Sequence, residues 1–268
     1  MAGYAALHFK FTSSNMARKT TTSSPRRAKP RTAAKKHAAS GGPLRRVLHV
    51  VGWILPGIVA VILILRFVPP PTSAFIITCQ AERMLGLASG PAVMHEWTPM
   101  RRIPRHMALA VVAAEDQNFP NHFGFDVDAI ARAVEHNKKS QSVRGASTIS
   151  QQTAKNLFLW SGRSYVRKGL EAGLTVLIEL LWSKERILEV YLNIAEFGNG
   201  TYGVGAAAKR FFGKTPAGLT TREAALLASV LPNPKRFSAA RPSSYLLQRA
   251  HWVQTQMKQL GPNHIDWR

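Results

Sequence analysis

The chain predicts a mainly α domain carried on one N-terminal membrane-spanning helix. Three observations predict it. Val47 to Leu65 is an almost unbroken apolar run. From Thr72 to Arg268, long segments place apolar residues at helical spacing, and alternating strand patterns are few. Residues 1–46 combine Ser, Thr, Ala, Lys and Arg with few large apolar side chains, a composition that cannot bury a core and reads as disordered. The organisation is therefore a basic tail over 1–46, an anchor over 47–68 and a globular domain over 72–268.

At 1.5 Å of rise per residue the apolar run reaches about 28 Å, enough for a hydrocarbon core. Arg45 and Arg46 precede it, and the excess of basic residues lies on that side. The rule that positive charge stays inside then predicts a cytoplasmic N-terminus and a single pass that carries the residues after the run across the membrane. The run is too long for a cleaved signal peptide, and Pro69-Pro70-Pro71-Thr72-Ser73-Ala74 is a poor cleavage site.

Eleven of the 36 Lys and Arg lie in residues 1–46, which leaves 25 against 14 Asp and Glu, a net +11 on the remainder. A domain this basic expects an anionic partner. The single cysteine, Cys79, excludes intrachain disulfides and reads as a core residue. No Walker A lysine pattern, zinc spacing or Gly-x-Ser-x-Gly elbow occurs.

Helices are expected over Arg105–Asn118, Asp128–Asn137, Ser147–Leu159, Tyr165–Trp182, Ser183–Asn193, Gly203–Phe211, Thr220–Val230 and Ser243–Leu260. Thr220-Thr221-Arg222-Glu223 matches a capping box, and Ser183 is a plausible N-cap with Glu185 in the first turn. Pro232-Asn233-Pro234 stops the helix before it.

Four stretches carry chemistry. In the first, the apolar run Met107–Ala114 leads into Glu115 and Asp116, then Phe119, Pro120, His122 and Gly124. Glu115 falls at the C-terminal end of an apolar helix, where desolvation and the negative helix end raise a carboxyl toward the range of a general base. A surface Glu-Asp pair closing an ordinary helix is the plainer alternative.

The second stretch is Gly145-Ala146-Ser147-Thr148-Ile149-Ser150-Gln151-Gln152-Thr153-Ala154-Lys155-Asn156. Ser147 is expected to cap a helix, whose free N–H groups suit an anion. Ser147, Gln151 and Lys155 share a face at i, i+4 spacing, and Gln152 and Asn156 add amide donors. Such a face suits a diphosphate or sugar hydroxyls; a solvated surface helix is the alternative.

In the third stretch, Arg163, Arg167 and Lys168 precede Glu171 and a long apolar run. Arg167 and Glu171 are either a surface ion pair or a second active-site carboxylate beside a cationic patch. The fourth joins Ile187-Leu188-Glu189-Val190-Tyr191-Leu192-Asn193 to a Gly-rich loop before an Ala-rich helix, where Gly203 and Gly205 permit close approach of a ligand or another helix.

Together these stretches resemble the signature set of the peptidoglycan glycosyltransferases, glycosyltransferase family 51. Glu115, Asp116, Phe119, His122 and Gly124 match the family's Glu-Asp-x-x-Phe-x-x-His-x-Gly. Gly145 to Gln152 matches its Gly-Gly-Ser-Thr-Ile-Thr-Gln-Gln, with Ala146 at the second Gly and Ser150 at the second Thr. Arg167, Lys168 and Glu171 match Arg-Lys-x-x-Glu, and Ile187 to Asn193 matches Ile-Leu-Glu-x-Tyr-Leu-Asn. The resemblance runs from about Trp97 to Met257.

No Ser-x-x-Lys or Lys-Thr-Gly of a transpeptidase domain follows, so the chain resembles the family's monofunctional members. The resemblance implies a lysozyme-like, mainly α fold and polymerisation of lipid II onto a growing glycan chain at the bilayer, with inversion at the anomeric carbon and release of undecaprenyl diphosphate. It makes Glu115 and Glu171 catalytic. It assigns substrate contacts to Asp116, Phe119, His122, Ser147, Gln151, Gln152, Lys155, Asn156, Arg163, Arg167 and Lys168. It leaves open a divalent metal, Mg2+ or Mn2+, at Glu171, and partner proteins of the divisome or the penicillin-binding class. It calls for no organic cofactor and no nucleic acid.

Overall fold

The computed structural model describes residues 43–140, 145–162 and 164–266, with side chains from Gly52 onward. The N-terminal tail over residues 1–42, Arg144 and Arg163 lie outside the described residues.

The first helix, α1, runs Pro43–Phe67, beginning upstream of the expected Val47. Among the described residues no helix is long and apolar enough to cross a membrane. The first part of the apolar run precedes Gly52, outside the described side chains. Carbonyls near and just beyond the C-terminal end of α1 accept from side chains of the domain. The Trp182 indole N–H donates to the Ile62 carbonyl at 2.8 Å. The Arg186 guanidinium donates to the carbonyls of Leu65 and Val68, each at 2.8 Å.

The remaining helices are α2 (Ala74–Met84), α3 (Arg105–Glu115), α4 (Val127–Lys139), α5 (Ile149–Phe158), α6 (Tyr165–Leu181), α7 (Lys184–Ile194), α8 (Gly203–Phe212), α9 (Thr221–Val230) and α10 (Ser244–Leu260). The expected helices all form, with ends shifted by a few residues. Not among the expected helices is α2. Ser73 caps it, accepting from the Ile76 N–H, and Ile76 and Cys79 face inward. Three short strands, β1 (Met94–His95), β2 (Glu196–Gly198) and β3 (Thr201–Tyr202), make one small sheet in the order β1-β3-β2. β1 pairs parallel to β3, and β2 antiparallel to it.

At the centre is α3. Every residue from Met107 to Ala113 is buried, so the helix is apolar all round rather than amphipathic. It packs against α9 and α10, while α5 packs against α6 and α7. Ser183 and Thr220 cap α7 and α9 as expected, and Glu223 closes the capping box on α9.

Candidate active site

Glu115 is the last residue of α3, and Asp116 already leaves the helix with φ −161° and ψ 78°. The break comes earlier than the expected end at Asn118. Glu115 is half-buried at the wall of a cavity of about 570 Å³. Burial pushes its carboxyl above the usual carboxylate range, and a hydrogen bond from Gln152 and the charges of Arg249 and Lys155 pull partly back. That is the desolvated environment expected of a general base at a helix end.

Asp116, Phe119 and His122 are packed inside the domain. Phe119 is fully buried, with Lys184 Nζ 4.6 Å from its ring centre. His122 donates from Nε2 to Asp116 Oδ2 at 2.9 Å, and both side chains are nearly inaccessible. The same Oδ2 accepts from the Ile149 backbone N–H at 2.9 Å. Thus Asp116 ties the end of α3 to the start of α5. The physical reason for this tie is that a chain leaving a buried helix abruptly needs partners for its next polar groups. Asp116 alone of the three also edges the cavity.

The second stretch is corrected by one residue. Thr148, not Ser147, is the N-cap of α5, and Gln151 completes a capping box with it. Gln151 is therefore buried, its Oε1 accepting from the Thr148 N–H at 3.0 Å. Ser147 stays exposed on the cavity wall, outside the helix, so the expected Ser147–Gln151–Lys155 face does not form. Instead the useful face carries Gln152, Lys155 and Asn156, which line a second cavity of about 270 Å³ with Glu196 and Lys235. Gln152 Nε2 donates to Glu115 Oε2 at 2.9 Å. Burial lowers the pKa of Lys155, while Glu171 and Glu115 both act to raise it, so this ammonium sits within electrostatic reach of both carboxylates.

Glu171 is buried, and the surface ion pair is excluded. Arg167 donates to Oε2 at 2.8 Å and Lys168 to Oε1 at 2.5 Å. Buried Glu171 holds two cations in place, and both bear on Lys155. The divalent metal left open at Glu171 finds no suitable donor set. Both carboxylate oxygens are engaged by cations, and no three His, Cys, Asp or Glu side chains gather near enough to hold an ion among the described residues. An Mg2+ or Mn2+ at Glu171 would compete with Arg167 and Lys168 for these two oxygens.

The fourth stretch is an architectural clamp. Asn193 Oδ1 accepts from the Thr98 N–H at 2.6 Å and its Nδ2 donates to the Thr98 carbonyl at 2.9 Å. Glu189 accepts from the Met100 N–H at 2.9 Å and from Arg186 at 2.6 Å. These bonds fix the chain that enters α3. Gly203 has φ +83°, and a Cβ there would lie 2.6 Å from the Asn193 carbonyl oxygen. At Gly205 a Cβ would meet Thr98 Oγ1 at 2.6 Å. Close packing, not a ligand, accounts for both glycines.

Four residues in or beside the site were not singled out from sequence. Trp252 and Gln256 of α10 and His264 beyond it line the larger cavity, and Arg249 adds a positive charge toward Glu115. Gln117 ties this wall down, donating to Gln256 at 3.1 Å and accepting from His264 at 2.7 Å. Arg249, Trp252 and Gln256 recur at i, i+3, i+7, a helical stripe visible in the sequence.

The arrangement suits group transfer: a desolvated carboxyl, with amides on one side and a held cluster of cations on the other. Comparison with known proteins agrees. The family described as transglycosylase matches residues 83–258. The chain is 52% identical over 218 residues to the biosynthetic peptidoglycan transglycosylase of Pseudomonas fluorescens, covering 81% of this chain and 90% of that protein. It is 54% identical over 219 residues to that of Pectobacterium carotovorum, covering 81% and 88%. For that of Yersinia pestis the figure is 56% over 218 residues, covering 81% and 89%. The chain belongs to the transglycosylase family.

Proposed function

We propose that the chain is a peptidoglycan glycosyltransferase that polymerises lipid II into glycan strands. The observation that carries this reading is Lys155, which lines the smaller cavity and lies within electrostatic reach of both Glu115 and the Arg167–Lys168–Glu171 cluster. Glu115 takes the proton from the acceptor's 4-hydroxyl as that oxygen attacks the anomeric carbon of the donor, the growing chain. A positioned base of this kind contributes about a hundred- to ten-thousandfold. The attack comes from the face opposite the diphosphate, so the centre inverts and no carboxylate nucleophile is needed. The C–O bond to undecaprenyl diphosphate breaks, and the leaving group carries off the electron pair. Its charge needs fixed cations more than a proton, and Lys155, Arg167 and Lys168 supply them. Glu171 acts by holding Arg167 and Lys168. The Gln152–Lys155–Asn156 cavity suits the donor, and the amide-lined cavity in front of Glu115 suits the acceptor.

A hydrolase that cleaves finished glycan has no use for such cations. The substrate also explains the architecture. Lipid II carries its diphosphate at the membrane surface, and α1 is read as the single-pass anchor in the bacterial inner membrane, with the domain in the periplasm. Exposed Ile77 and Met84 on α2 and Tyr165, Val166 and Leu180 on α6 are suited to contact with lipid.

The test is incubation of the detergent-solubilised protein with labelled lipid II, with products resolved on a gel, beside Glu115→Gln. A ladder of glycan strands that disappears in the variant is expected. A fully active Glu115→Gln variant overturns the base assignment, and cleavage of finished glycan without a ladder overturns the polymerase.

A further inference from the structure

Behind Glu115 lies a second hydrogen bond that the chemistry above does not use. The Tyr191 hydroxyl, from α7, donates to Gln152 Oε1 at 3.1 Å, and Gln152 Nε2 donates in turn to Glu115 Oε2 at 2.9 Å. Three helices thus contribute to one line of donors: α7, then α5, then the end of α3. Tyr191 is 1% exposed, so its O–H cannot turn to solvent. A buried hydroxyl needs an acceptor, and the Gln152 carbonyl is the one it has among the described residues.

A glutamine amide has two ends of nearly the same shape and opposite polarity. Turned over, Gln152 would present its oxygen to the Glu115 carboxylate and its N–H2 to the phenol, a mismatch at the carboxylate. The phenol selects the other orientation, since it stays a donor: burial raises its pKa well above the ordinary value, and Glu115 and Asp116 raise it further. With Oε2 so held, Oε1 of Glu115 has no hydrogen-bond partner among the described residues.

We propose that Tyr191 is a positioning residue for the reaction: by donating to Gln152 it keeps the amide N–H directed at Glu115 Oε2 and leaves Oε1 to receive the acceptor's proton. This rests on Glu115 being the base of the proposed polymerisation. The groups that bear on Glu115 are Asp116 beside it, Lys155 from α5, Arg249 from α10, and Tyr191 from α7. Removing the phenol oxygen changes none of these charges apart from the phenol itself, which is neutral. It frees the amide to turn, and a turned amide accepts a hydrogen bond from protonated Glu115. The acid form gains and the carboxylate loses its donor. Glu115 then binds its proton up to higher pH, and the acidic limb of the rate profile moves to higher pH.

The experiment measures initial rates of lipid II polymerisation against pH for the wild-type chain, Tyr191→Phe, Gln152→Leu, their double variant and Glu115→Gln. Thermal melts accompany each to confirm folding. Tyr191→Phe is expected to lose about tenfold in kcat at neutral pH, the scale of one hydrogen bond to a charged group, with KM nearly unchanged and the acidic limb displaced upward. Gln152→Leu removes the amide outright and displaces the limb while the Tyr191 ring stays in the core, so it reads the same effect even if Tyr191→Phe folds poorly. In the double variant Tyr191→Phe adds nothing, because its effect passes through Gln152. Losses that multiply in the double variant, or a limb that stays in place in Gln152→Leu, overturn the role of Tyr191. Full activity of Glu115→Gln overturns the base instead, a separate result.

Discussion

Replacing Asp116 with Asn separates architecture from chemistry in the first motif. Asp116 sits beside the base, yet its carboxylate holds His122 at 2.9 Å and the Ile149 N–H at 2.9 Å, with 3% and 4% of the Asp116 and His122 side chains exposed. Two hydrogen bonds to a buried charged acceptor are worth about 1.5–3 kcal/mol each. Breaking a buried charge-assisted pair costs about 3–5 kcal/mol, and that range is the expectation for Asp116→Asn. For a domain of this size the melting temperature falls by about 10 °C. The start of α5 loosens with it, and so do Gln152 and Lys155, so activity declines with stability. The assay is a thermal melt of the solubilised protein followed by polymerisation well below the melting temperature. A variant that melts within about 2 °C of wild type but makes no product would refute the reasoning. It would return Asp116 to direct contact with substrate.

Two more outcomes are expected. Lys155→Met removes a cavity-lining cation that acts on both Glu115 and Glu171 and lowers kcat about a hundred- to a thousandfold with little change in melting temperature; a loss under threefold would show that Arg167 and Lys168 suffice. Gly203→Ala forces a Cβ against the Asn193 carbonyl at a left-handed φ. It costs about 2–4 kcal/mol, read as a lower denaturation midpoint, and an unchanged midpoint would mean that the α7–α8 junction adjusts freely.

Most of the helices were legible because apolar spacing and capping residues are local. Ser183, Thr220 and Glu223 cap as their sequence positions imply. The helix α2 escaped, since a short run beside an apolar anchor has no period long enough to separate it from membrane contact. Ser147 and Thr148 are both good caps, so local sequence does not distinguish them. The choice fell to Thr148, whose Oγ1 also donates to the Gly124 carbonyl at 2.7 Å, a contact between segments distant in the chain.

At the site, sequence by itself determined the chemical inventory. It placed Glu115 at the end of an apolar helix and put Arg167 and Lys168 within a helical turn of Glu171, because those relations depend only on neighbours along the chain. Tertiary structure decided which polar residues face the cavities and which hold them open. Asp116 and Gln151 find partners inside, whereas Gln152, Lys155 and Asn156 face a cavity, and Arg249, Trp252 and Gln256 arrive from α10. The physical reason is burial: a polar side chain becomes structural or functional according to whether the packing of other helices leaves it an internal partner or an open cavity, and that packing is set by contacts across the whole domain.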